Sequence, residues 1–270
     1  EEAEQTFDQS ILSPLKSLKG GVTTSSADVM GYLFKHDSSF QTSAKIIGQR
    51  NLYSIVFIHY AALMYNIARL IKKMNIEIPL NLSFTGMGSK YINLISSNPE
   101  VIKKLTVLLL EKYTGKKVNP AFAIISANNA DVKEITAKGV LAGLNLIPNF
   151  QIPAGMLSPI NDYGFDREQD LTYEEVATDE VRTSVLQSFD KFIDSLQDKD
   201  FANFIFTTFN NHTISKELIA DLKIFAEKSF VTMSANIPAQ YHALNVTETL
   251  FFWPLKNSLI ELSKNYKKYQ

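Results

Sequence analysis

Two glycines one residue apart, followed by a hydroxyl and a lysine, are the residues of this chain whose types and spacing best suit ligand chemistry. They lie in Thr85-Gly86-Met87-Gly88-Ser89-Lys90. Gly86 and Gly88 permit positive φ angles and let a ligand approach the main chain closely. Ser89 can cap a helix whose apolar residues are Tyr91, Ile92, Leu94 and Ile95. Amides gathered at such a helix N-terminus favour an anion, a phosphate for instance. A glycine turn between a strand and a helix also has a purely steric use, and the spacing alone leaves both readings standing. Two sharper motifs do not fit. A Walker A loop has four residues between its glycines and then Gly-Lys-Ser/Thr, whereas this chain runs Gly88-Ser89-Lys90. The dinucleotide fingerprint needs a third glycine where Tyr91 stands.

Other chemistries are narrowed by composition. The chain has no cysteine, so disulfides, thiolate metal sites and a cysteine nucleophile are excluded. His36, His59, His212 and His242 are scattered, and no pair has metal-ligand spacing. The acids of Asp166, Glu168, Asp170, Glu174 and Glu175 read as a solvated face, because no Asp-x-Asp-x-Asp-Gly series is present. No G-x-S-x-G elbow occurs. Net charge is −1, so no global field draws the chain to nucleic acid or to an anionic membrane.

The elements that position the glycine pair can be read on either side of it. Ile78-Pro79-Leu80, then Leu82 and Phe84 alternating with Asn81 and Ser83, predict a short strand leading into the turn. Upstream, Asn51–Met74 carries Leu52, Ile55, Val56, Ile58, Ala62, Leu63, Ile67, Leu70 and Ile71, a long helix apolar nearly all round. Its length would cross a bilayer, but Ser54, His59, Asn66 and Arg69 interrupt it, which favours a helix buried in a folded domain. His59 reads as a hydrogen-bonded core or edge residue. Downstream, Asn98-Pro99-Glu100 is an N-cap, a first-turn proline and a first-turn acid, opening a helix that stops near Gly115. Asn119–Ser126 is a second strand-type run, and Asp131 opens a helix with small residues Ala137, Gly139, Ala142 and Gly143. Strand, helix, strand, helix is the rhythm of a parallel α/β unit. Shorter helices are expected at Ala27–Lys35 and Phe40–Gly48.

Residues 147–177, with Pro148, Pro153, Pro159 and an acidic run, read as a connecting excursion. The remainder, 178–270, is helical: Asp179–Gln197, Asp200–Phe209, Ser215–Phe230 and Thr247–Tyr266, the last with a kink or restart at Pro254. Phe251, Phe252 and Trp253 read as packing anchors. The whole is a predominantly helical α/β protein with a small sheet of two to four strands.

Asn51–Asn145 resembles the second half of the actin, sugar-kinase and heat-shock-chaperone ATPase superfamily. The likeness rests on the long helix, the strand-turn NLSFTGMGSK, the intervening helix, the strand from Val118-Asn119-Pro120 and the small-residue helix ITAKGVLAGL. In that family the glycine turn wraps the adenosine part of ATP. The resemblance implies that Gly86, Met87, Gly88, Ser89 and Lys90 contact ATP or ADP, with Ser89 donating a hydrogen bond and Lys90 covering a base or phosphate. The family's turn has adjacent glycines, whereas Met87 separates them here. Its two phosphate loops, Asp-x-Gly-x-Thr and Asp-x-Gly-Gly, are not found, so an adenosine wall without hydrolysis is implied, and magnesium only together with a missing N-terminal ATPase lobe. On this reading 1–146 is the lobe fragment, with a helical subdomain at 1–76 and a strand-turn-helix core at 77–146. The chain's start at EEAEQTFDQS, without methionine, is expected of a piece of a longer polypeptide, and a cytoplasmic location is expected, with which the absence of cysteine is compatible. The rival is a helical scaffold whose aromatic C-terminal helices anchor a protein partner. Neither reading expects nucleic acid or a membrane.

Overall fold

A computed structural model describes residues 49–73, 75–84, 92, 95–96, 98–126, 171–208, 213–246 and 249–264. The helices expected before Gln49 and the small-residue helix after Asp131 lie outside the described residues. What is described is mostly helical, with a two-stranded parallel sheet. The chain divides into two compact units, Glu1–Tyr60 with Ile76–Pro148 and Ala61–Asn75 with Asn149–Gln270. Helix α1, Gln49–Lys73, therefore gives its first residues to one unit and the rest to the other.

In the first unit the order is the start of α1, strand β1 (Asn81–Phe84), helix α2 (Pro99–Thr114) and strand β2 (Ala123–Ser126). The α2 boundaries are written into the sequence. The Asn98 side chain accepts from the Glu100 amide, proline follows it, and Gly115 closes the helix at φ 73° with its amide on Glu111 O. Ile102, Leu105, Leu109 and Leu110 form the buried stripe of α2, joined in the core by Val56, Phe57, Ile58 and Tyr60 of α1 and by Phe122. Strand β2 begins later than the run from Asn119 suggests. Asn119 accepts the Ala121 amide on its side chain and the Phe122 amide on its carbonyl, so Asn119-Pro120-Ala121 is a turn and pairing starts at Ala123.

The second unit holds the later part of α1, α3 (Asp179–Ser195), α4 (Lys199–Thr208), α5 (Lys216–Ala235) and α6 (Phe252–Lys264). Thr178 caps α3 and Ser215 caps α5. α5 packs against α6 and α3. The core is aromatic: the Phe251 ring lies 5.5 Å from Tyr65, 5.5 Å from Phe192, 6.0 Å from Phe189 and 5.6 Å from Phe252. Residues 171–174 run against 242–246, with amide bonds from Val246 to Leu171 O and from Tyr173 to Leu244 O; Leu171 and Val176 are buried there.

Two helix ends differ from expectation. α5 continues past Phe230 to Ala235, because Thr232 and Ser234 turn their hydroxyls back onto Lys228 O and Val231 O and leave the ladder intact. α6 begins at Phe252, so Pro254 sits in its first turn, where a missing amide deprives no carbonyl. The helix starts there, which is the restart of the two alternatives expected at this proline.

The C-terminal aromatics are for the most part core. Phe189, Phe192, Phe201, Phe230 and Phe251 are fully buried, whereas Phe206 and Tyr241 are exposed. Ser54–Lys73 of α1 is long and apolar enough to cross a membrane, yet its polar groups are met by protein. Asn66 donates to Ala62 O at 2.9 Å, and Arg69 donates to Ser188 Oγ at 2.9 Å with its guanidinium over the Tyr65 ring.

Candidate functional site

The site is built on the strand pair of the first unit. β1 and β2 run parallel in the register Asn81 with Ala123, Leu82 with Ile124, Ser83 with Ile125 and Phe84 with Ser126. Parallel pairing means that both strands end on the same edge. The glycine stretch follows β1 directly in the sequence, and Ala127-Asn128-Asn129 follows β2. Gly86, Met87, Gly88, Ser89 and Lys90 lie outside the described residues, as do Asn128 and Asn129. Among the residues that are described, the structure brings together the two strand ends that these stretches follow in the sequence.

Paired residues of a parallel ladder share a face. Leu82, Phe84 and Ile124 occupy one, and the Phe84 ring lies 6.0 Å from that of Tyr60 on α1. Asn81, Ser83, Ala123 and Ile125 occupy the other, where Asn81 and Ser83 are exposed and Ile125 is half in water. Parallel sheets are ordinarily covered on both faces.

Beneath Phe84 a polar chain ties α1 to α2. Thr106 Oγ1 donates to Ile102 O at 2.6 Å, so the Tyr60 hydroxyl, 2.5 Å from Thr106 Oγ1, is the donor in that pair. Both side chains are buried. Burial pushes the Tyr60 phenol up to about 12, although its bond to Thr106 pulls the other way. It stays protonated at neutral pH and serves to fix the floor under β1. Burial also lowers the pKa of the neighbouring His59, which favours the neutral imidazole.

Two ion pairs of this unit lie by the loop that leads from α2 into β2. Lys116 Nζ donates to Ile76 O at 2.8 Å and reaches Glu77 at 3.4 Å. Glu111 accepts from Lys117 at 2.9 Å and from the Val118 amide at 3.0 Å, and these bonds hold its carboxyl below the usual range. Both arrangements fasten the loop between α2 and β2. No group of three or more His, Asp or Glu side chains that could hold a metal ion occurs among the described residues. The Tyr60–Thr106 pair, 46 residues apart, has no mark in the sequence beyond a threonine within the apolar stripe of α2. No family model, curated protein or solved structure matches the chain.

Proposed function

We propose that the first unit is the adenosine-side lobe of an actin- or chaperone-like ATPase, taking ATP or ADP against the main chain of Gly86–Ser89 with Lys90 over the base or phosphate. The observation that carries this reading is the parallel register ending in Phe84 and Ser126. It supports a ligand site because α/β proteins hold their ligands beyond the carboxyl ends of parallel strands, where the loops begin. The rigid floor of Phe84, Tyr60 and Thr106 suits a loop that must keep its amides aimed. Hydrolysis, with its magnesium, belongs to a partner lobe carrying the aspartate-glycine loops, and the cytoplasm is the matching location.

Titration with ADP and with ATP, followed by melting temperature, tests the reading. A saturable rise with no release of phosphate is expected, as is its loss in Gly86→Val without change in helix content. A melting temperature that neither nucleotide moves would remove it. A second reading, a helical interaction domain, is favoured by the large apolar side chains that α5 presents to water.

A further inference from the structure

Helix α5 has two apolar faces. Leu218, Ile219, Leu222, Ala226 and Phe230 are buried. On the far side Ala220, Ile224, Glu227, Lys228, Val231 and Ala235 are exposed, Ile224 by 60% and Val231 by 41%. Steps of three and four residues place Ala220, Ile224, Glu227 and Val231 on one stripe, the pattern of a helix-pairing seam. A lone helix gains nothing from two large side chains in water with charges between them. We propose that α5 is a self-association surface, pairing antiparallel with α5 of a second copy about a two-fold axis between Glu227 and Lys228.

The occupant follows from complementarity. In that register Ile224 faces Val231 of the second copy, Glu227 faces its Lys228, and Ala220 faces its Ala235, each contact made twice as a two-fold interface requires. A parallel pairing would set Glu227 on Glu227 and Lys228 on Lys228. The alanines at the ends let the helices approach closely. Charge on the neighbouring helix points the same way. Asp190 of α3 feels the negative charge of both Asp194 and Glu227, with Lys223 as the near cation, bonded to Asp194 at 2.8 Å. Lys228 of the second copy would bring positive charge to this cluster. A helix of this length spans about 30 Å, and one helix pair lies at or below the ~1,200 Å² end of specific interfaces. The dimer is therefore weak and reversible, and it stands independently of the nucleotide reading.

Sedimentation velocity over a range of concentrations is the test. A reversible monomer–dimer equilibrium is expected, with Ile224→Lys and Lys228→Glu each raising its dissociation constant at least ~10-fold. The double variant Glu227→Lys/Lys228→Glu, which restores opposite charges across the axis, returns it to within ~3-fold of the parent. Because the chain has no cysteine, Ile224→Cys mixed with Val231→Cys gives an oxidised heterodimer, and neither variant alone links comparably. All four positions are exposed, so far-UV helix content stays unchanged. A chain monomeric throughout, a dimer indifferent to Ile224→Lys, or a charge swap no better than the single reversal overturns the proposal.

Discussion

The two units reach stability by different routes. The first rests on a strand pair whose partners are 42 positions apart in sequence, Asn81 with Ala123 through Phe84 with Ser126, and on the buried Tyr60–Thr106 bond between helices. The second rests on capped helices around interlocking rings, and nearly every large side chain on its inner faces is aromatic or aliphatic. A four-residue parallel pair cannot hold itself together, so the first unit depends on what lies beneath the strands. The second holds its shape through packing, which leaves the outer face of α5 free of structural duty. The proposed ligand site and the proposed self-association surface thus fall on units with different tolerances.

The sharpest way to break the comparison is to remove a ring from the second unit. Phe251 has no exposure and touches four other rings. Phe251→Ala is expected to cost about 3–5 kcal/mol, the lost transfer energy plus the cavity. Urea denaturation followed by the fluorescence of Trp253, the chain's single tryptophan and a residue of this unit, should show the loss. A change under ~1 kcal/mol would mean that the aromatic cluster is not the core.

In the first unit the corresponding test is electrostatic. The Tyr60 phenol titrates near 12 in the folded chain against an ordinary value of 10.0. The folded chain therefore keeps a proton that the unfolded chain has already lost between those values. The contribution is intact below pH 10 and disappears as pH rises towards 12, worth at most about 2–3 kcal/mol. Tyr60→Phe should abolish that alkaline loss while costing about 1 kcal/mol at neutral pH, since Thr106 keeps its bond to Ile102 O. Denaturant midpoints of parent and variant at pH 8, 10 and 11 decide it. Parallel pH curves would show that the phenol is not held as described.

How much of this was legible in the sequence follows from how local each signal is. Asn98, Pro99 and Gly115 fix α2 within a few residues of themselves, and Thr178 and Ser215 do the same for α3 and α5. The α1 stripe was harder. Apolarity picks out Leu63, Ile67 and Leu70, which are half-buried, and passes over Phe57, Tyr60 and Met64, which are fully buried, because a helix apolar on most sides does not announce which side packs. The start of β2 was obscured by a turn whose apolar neighbours look like strand, and Pro254 reads as a breaker until the helix start is known. The candidate site divides likewise. Its strands follow from alternation and its parallel rhythm from element order, but the Tyr60–Thr106 floor needs two helices brought together, and the outer seam of α5 emerges only once its buried face is known.

The smallest effects compare the two kinds of helix end in α2, and they separate side-chain from backbone control of those ends. Asn98→Ala removes the acceptor of the Glu100 amide and should cost about 1 kcal/mol. Gly115→Ala meets no atom within 4 Å of the added Cβ, so whatever it costs comes from holding a left-handed φ of 73° with a side chain present, about 1–2 kcal/mol. Gly115→Asn should recover part of that, since asparagine tolerates the left-handed region, whereas no crowding argument distinguishes asparagine favourably from alanine. Thermal melts of the three variants rank them. An asparagine variant less stable than the alanine one would place the cost in packing and not in the backbone, and would loosen the claim that local signals alone set where α2 hands the chain on to β2.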